Sequence, residues 1–381
     1  MEGERPISQQ HARRLIAALT HIMEDVTQVL GMTFYQFASW REATTLLHEI
    51  EYGPTAAQPR IELPPPPPAP LRPRVTPRYN RPRMSLSPLI KFGTSTWTYE
   101  GWQGQVYKRI YPKGRFKQDC LSEYCQYAPH SEPLFRTVGL DATFYRPPTD
   151  QQLQHYAAQL PAGFEMLSKV WERITVPQFP LLPDYGSKAG QVNPDFLNVD
   201  LFLNDVLLPY QRSFQGHTGP FIFEFQRTQM PGDFLKRLGD FLSKLPQEFR
   251  YSVEIRNPAI LSYEYRALLQ RYNVSHVFNH QSYQLPLLEQ HKRLGEVFSA
   301  PFVVFRLLTP LRVSYAQAVR IAEPYNKIVA ELPKMRQDTI TLVKQAVAEQ
   351  RQTYVLVNNR AEGNAPMTIQ ALTDQLRTDV A

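Results

Sequence analysis

Cysteine is almost missing from this chain of 381 residues: Cys120 and Cys125 are the only two. On the helix expected for the segment DCLSEYC, a five-residue offset puts the thiols on different sides, because neighbours on one face lie three or four apart. The spacing argues against a structural disulfide, and two cysteines without nearby histidines make a poor zinc site. Both are expected as buried small residues. The chain also has no run of about 18 apolar residues, so no membrane span is expected. Glu2, Glu4 and Arg5 are followed by no signal-type apolar core. A cytoplasmic protein with no membrane partner is the expectation. A Ser-His-Asp set, a nucleophile elbow, a Walker loop and a zinc-protease helix are absent as well.

Apolar residues make up 43% of the chain, which is ordinary globular usage and supports a sizeable core. The formal charge of +7 invites a nucleic-acid reading until its location is checked. Six arginines (60, 72, 74, 78, 81 and 83) face one acid, Glu62, between Arg60 and Pro88, which leaves only +2 for the remainder. Such a basic segment attracts anionic surfaces by Coulomb interaction and counterion release. It also serves simply as a solvated linker.

Three segments follow from composition and periodicity. Residues 1–52 are expected to form a helical N-terminal segment, with Leu15, Ile16, Leu19, Ile22, Met23, Val26, Val29 and Leu30 at helical steps and a second helix after Gly31. These helices are candidates for self-association or for a protein partner. Residues 53–88 are a Pro/Arg-rich linker, since proline fixes φ and removes the amide donor. Residues 89–381 alternate strands and helices. Strands are expected at 89–97, 137–145, 164–170, 221–226, 251–256, 274–279, 301–308 and 354–359, and a long helix at about 316–350. Eight such repeats predict an α/β fold, a closed TIM-like (β/α)8 barrel. An open doubly wound sheet is the alternative, weakened because no glycine-rich fingerprint follows the first strand.

The stretch Thr137 to Pro148, TVGLDATFYRPP, shows where a site belongs. Read with period two, Gly139, Asp141, Thr143 and Tyr145 share one face. Polar residues recur at the C-terminal ends of later strands: Lys169, Glu224, Gln226, Glu254, Arg256, Arg306, Asn358 and Asn359. Glu254 and Arg256 share a parity, as do Glu224 and Gln226. In a parallel barrel these ends meet at one mouth, where ligands bind. Three cations, Lys169, Arg256 and Arg306, converge there with few acids, and a buried charge is costly unless paired. Two readings stand: a ligand site, or an ion-pair network that closes the barrel top. Trp97, Tyr99, Trp102, Phe144 and Tyr145 gather nearby, either to stack a base or sugar or to plug the barrel.

The motifs resemble a known family. GTSTWTYEGWQGQVY (93–107) with Tyr111-Pro112, DATFYRPP (141–148), FEMLSKVWERIT (164–175), EIRNP (254–258), VVFRLL (303–308) and NNRAEGNAP (358–366) are similar to the YecE-like domain-of-unknown-function family over about residues 89–375. That resemblance implies a TIM barrel and no particular reaction. It also exposes departures. Gly139, Leu140, Asp141 and Ala142 stand where the family has Glu-Ile-Asn-Ser. Asn257, Leu308 and Val176 stand where it has histidines.

The residues then lead to three functional expectations. The first is binding of a small anionic, phosphate-bearing ligand at the mouth by Lys169, Arg256, Arg306, Asn358, Asn359, Tyr145 and Trp97, because guanidinium groups fork onto phosphate or carboxylate. The turn 358–363 is the expected phosphate cradle. The second is metal-dependent phosphodiester hydrolysis, with Asp141, Glu224 and Glu254 as candidate catalytic groups and a divalent metal bound among them, aided by His276 or His280. The third is a non-catalytic scaffold. No cofactor is expected; a small anion or nucleic acid is the partner class.

Overall fold

The computed structural model describes residues 85–378 apart from 182 and 228–229. The expected N-terminal helices, and residues 53–84 of the linker, lie outside the described residues. Eight strands follow in order: β1 (Ile90–Thr94), β2 (Thr137–Leu140), β3 (Glu165–Lys169), β4 (Thr218–Phe225), β5 (Tyr251–Ile255), β6 (Ser275–His280), β7 (Phe302–Leu307) and β8 (Gln352–Val357). They form one sheet in the order β1-β8-β7-β6-β5-β4-β3-β2, and each hydrogen-bonded pair is parallel.

The sheet curls until β1 meets β2. The Arg136 amide donates to Phe92 O at 2.8 Å across this seam. A Cβ on Gly93 would lie 2.0 Å from Thr137 O, so only glycine allows the backbones to come so close. The Tyr124 hydroxyl accepts the Thr94 N–H at 3.0 Å and lies 3.3 Å from Thr137 O, standing in for a missing rung of the ladder. The result is a nearly closed TIM-like barrel.

Period-two alternation sorts the strand residues. Leu167, Ile222, Val277, Val304 and Leu356 form one inner cluster with Phe302 and Tyr354. Their strand neighbours Met166, Phe223, Phe278, Phe305 and Val355 join the outer core under the helices. Burying each such side chain contributes about 1.5–3 kcal/mol.

Several expected elements are corrected. β2 stops at Leu140, and residues Asp141–Phe144 turn as a 3-10 helix. Thr143 Oγ1 sits 2.7 Å from Leu140 O and 2.6 Å from Lys169 O, a local bond that competes with the ladder. The expected helix at 316–350 is two helices, Tyr315–Ala322 and Pro333–Ala348, because Pro324 and Pro333 interrupt it. A short helix, Leu287–Arg293, separates β6 from β7 and was not expected. Cys120 and Cys125 are buried and unpaired, and burial pushes both thiols up to about 12. Among the described residues no helix is long and apolar enough to cross a membrane.

Candidate functional site: an ionic floor at the barrel mouth

Four strands deliver charge to one place because their C-terminal ends share the inner parity. Glu224 on β4 is fully buried and receives three cations on one oxygen. Lys169 Nζ and Arg256 Nη2 each lie 2.8 Å from Glu224 Oε2, and Arg306 Nη1 lies 2.9 Å from it. Gln226 Nε2 donates to the other oxygen, Oε1. Glu254 on β5 takes Arg306 Nη1 at 2.5 Å and Arg256 Nε at 3.3 Å. Asp141, just past β2, meets Arg306 Nη2 with both oxygens, at 2.9 and 3.1 Å. Lys169 also sits over the Phe144 ring, 4.1 Å from its centroid.

The expected surplus of cations is therefore corrected: Asp141, Glu224 and Glu254 match Lys169, Arg256 and Arg306 one for one. Burial opposes the ionised form of Glu224, yet Arg256, then Lys169 and Arg306, hold its carboxyl well below the usual range. Burial likewise opposes the charge on Arg306, while Asp141, Glu254 and Glu224 hold its guanidinium above its ordinary value. Exposure separates the acids. The Asp141 side chain is 35% exposed, against 1% for Glu224 and none for Glu254. Asp141 is thus the carboxylate through which solvent reaches this floor.

Above the floor is a wall of tyrosines that sequence reasoning largely missed. Tyr145 is half-exposed, and partial burial followed by the charges of Glu224 and Asp141 raises its phenol, with smaller contributions from Tyr315 and Glu172. Arg360 lies over the Tyr315 ring at 4.5 Å, and the rings of Tyr99 and Tyr325 meet edge to face at 5.0 Å. Glu172 accepts the Tyr185 hydroxyl at 2.7 Å, and burial raises its carboxyl against the opposing effects of Tyr185 and Lys169. The Nε–H groups of Arg306 and Arg360 are both buried without an acceptor. These residues come from separate segments that follow different strands, so no single stretch of sequence signals the wall.

Three expected site residues are engaged by the protein's own groups. Asn359 is buried, and its Oδ1 accepts from Trp102 Nε1 at 3.2 Å and from the Ala365 amide at 2.9 Å. Trp97 is buried with its ring edge-on to Tyr156 at 5.2 Å. Asn358 caps the short helix after β8 by accepting the Arg360 amide at 3.0 Å. The turn expected to cradle phosphate uses its own amides: those of Asn358, Ala361 and Gly363 donate to Leu307 O, Asn358 O and Asn359 O. His276 is a core residue held by Tyr265 at 3.0 Å, and burial lowers it to about 3. His280 bonds Thr309 O, and burial lowers it as well. Among the described residues no group of three or more His, Cys, Asp or Glu side chains is placed to hold a metal ion.

A parallel barrel of eight strands with a polar C-terminal mouth places the protein in the TIM-barrel class. Residues 91–381 match the family described as protein of unknown function DUF72, and the chain belongs to that family, the YecE-like one its motifs resemble. Two solved structures are similar. One is a DUF72 family protein from Enterococcus faecalis V583, with TM-score 0.50 and 16% identity, covering 75% of this chain and 95% of that one. The other is a DUF72 family protein from Thermotoga maritima MSB8, with TM-score 0.50 and 13% identity, covering 76% and 98%. At such identities the likeness shows the fold alone. Among curated proteins none matches.

Proposed function

We propose that the barrel mouth binds a small anionic, phosphate-bearing ligand, whose anion takes the place of Asp141 on Arg306. One observation carries this reading: Arg306 is fully buried, yet one of its partners is a part-exposed carboxylate on a loop. Glu224 and Glu254 are rooted in strands and remain. Asp141 sits on a 3-10 turn, and a phosphate or carboxylate offers Arg306 Nη2 the same charge-assisted bonds. The tyrosine wall suits a sugar or base attached to that anion.

Isothermal titration with inorganic phosphate and a nucleoside monophosphate tests the reading. Wild type is expected to bind, and Asp141→Asn to bind about tenfold tighter because the competing charge is gone. Absence of binding in both proteins, or weaker binding in the variant, would overturn the proposal. The metal-dependent alternative requires the three carboxylates to exchange their cations for metal ions. Stoichiometric zinc or manganese in the purified protein, measured by elemental analysis, would put it first.

A further inference from the structure

A second charged feature lies outside the mouth. Between Tyr107 and Phe116 the chain makes an exposed loop, KRIYPKGR (108–115), and Lys117 follows. Its backbone is firmly held. Glu123 Oε1 accepts the amides of Lys108 at 2.7 Å and Arg109 at 3.2 Å, while Oε2 accepts the Tyr111 hydroxyl at 2.8 Å. The Arg115 amide closes a turn on Pro112 O at 2.9 Å. Gly114 takes φ +79° there, the left-handed position such a turn requires. Tyr111 and Tyr107 both pack edge-on against Phe116, with ring centroids 5.5 and 5.0 Å away.

The side chains do the opposite of the backbone. Arg115 pairs with Asp119. Lys108, Arg109, Lys113 and Lys117 are exposed, and among the described residues no carboxylate pairs with them. Between them Ile110 is 95% exposed, more than any other large apolar side chain among the described residues. The loop therefore presents three such cations beside one bare isoleucine on a rigid support, with Lys117 just beyond its end.

We propose that this loop docks the protein peripherally on an anionic lipid surface. The cations meet headgroup phosphates or carboxylates, and Ile110 enters the apolar layer beneath them. A nucleic acid would engage the cations alone and leave Ile110 in water, so it accounts for half of what is seen. The contact is peripheral, which revises the expectation that the protein has no membrane partner without requiring a spanning helix. It is independent of the ligand proposed for the mouth.

Co-sedimentation of the full chain with vesicles provides the test. Binding is expected to vesicles containing about one-third phosphatidylserine and not to pure phosphatidylcholine. Each cation near such a surface is worth about fivefold in partitioning, so the triple variant Lys108→Gln, Arg109→Gln, Lys113→Gln is expected to lose about a hundredfold. Ile110→Ser is expected to lose about tenfold. All four positions are exposed, and unchanged melting curves will show that the variants fold. The proposal falls if phosphatidylserine vesicles do not bind. It falls equally if both variants bind them like wild type. It falls too if Ile110→Ser is neutral while the triple variant loses affinity for vesicles and for a single-stranded oligonucleotide alike, since that pattern marks a charge-only surface.

Discussion

The two ends of this barrel are both closed by carboxylates shared among cations, but at different depths. At the N-terminal end Glu165 takes Lys91 at 2.5 Å, Arg250 at 2.5 Å and the Tyr354 hydroxyl at 2.6 Å, tying together β1, β3, β8 and the residue before β5. These side chains keep contact with water: Lys91, Glu165 and Arg250 are 17%, 19% and 33% exposed. At the C-terminal end Glu224, Glu254 and Arg306 are within 2% of complete burial. A carboxylate that keeps contact with water and holds two cations is an inexpensive clasp. A cluster of six charges with three of them dry costs several kcal/mol in desolvation, and apolar residues of similar size often fill such space as well or better. Such a cost at the end where barrels bind ligands is what the ligand proposed for the mouth would account for.

The comparison breaks or sharpens most directly on two variants. Glu224→Gln leaves Lys169, Arg256 and Arg306 one acid short in a dry site, so a loss of about 3–5 kcal/mol is expected. Glu165→Gln leaves Lys91 and Arg250 free to turn toward water, and a loss of about 1–2 kcal/mol is expected. Urea unfolding followed by tryptophan fluorescence measures both, since Trp97, Trp102 and Trp171 lie in the barrel. Equal losses would mean that depth does not separate the two ends.

Acid sharpens the same contrast. Glu165 is lowered despite burial by Lys91, Tyr354 and Arg250, and Glu224 by Arg256, Lys169 and Arg306. A carboxyl lowered in the folded state stabilises fully above its unfolded value of about 4.5 and loses that contribution as pH falls through its folded value. Buried His276, His280 and His291 are lowered too, so their contribution declines from about pH 6.5 downward and forms a background common to every variant. Each titrating group adds at most about 1.4 kcal/mol per pH unit. Stability measured from pH 7 to 3 is expected to flatten below 4.5 in Glu224→Gln over a wider interval than in Glu165→Gln. Identical profiles would show that the extra cation on Glu224 adds no electrostatic hold.

The C-terminal side of this contrast was partly legible in the sequence, the clasp of Glu165 with Lys91, Arg250 and Tyr354 was not, and the unread part has a definite cause. Parity placed Glu224 with Gln226 and Glu254 with Arg256, and Gln226 bonds Glu224 while Arg256 bonds Glu254. Short apolar runs located all eight strands, because a parallel strand buried on both faces writes itself as a short hydrophobic segment. The charge balance was not legible. Asp141 and Arg306 are 165 positions apart and meet only when β2 and β7 are brought around one axis. Tyr99 and Tyr145 were read as nearby aromatics, but Tyr315, Tyr325 and Arg360 were hidden for the same reason, since they come from segments far along the chain. The helix across 316–350 was misread by weighing apolar spacing above two prolines that break it.

The smallest expected effect compares one lysine from each end. Lys91→Met removes one of two cations from Glu165 but leaves Arg250 and the Tyr354 hydroxyl, with water close by; a change within about 0.5 kcal/mol is expected. Lys169→Met removes one of three cations from Glu224 and also the ammonium over Phe144, although methionine keeps contact with that ring. Arg256 and Arg306 still hold Glu224, so the loss is expected at about 1 kcal/mol rather than the larger cost of an unpaired charge. The order matters more than either value. If Lys91→Met proves the more damaging in urea unfolding, the solvated end is the one that secures the barrel, and the buried floor loses its standing as the costlier of the two.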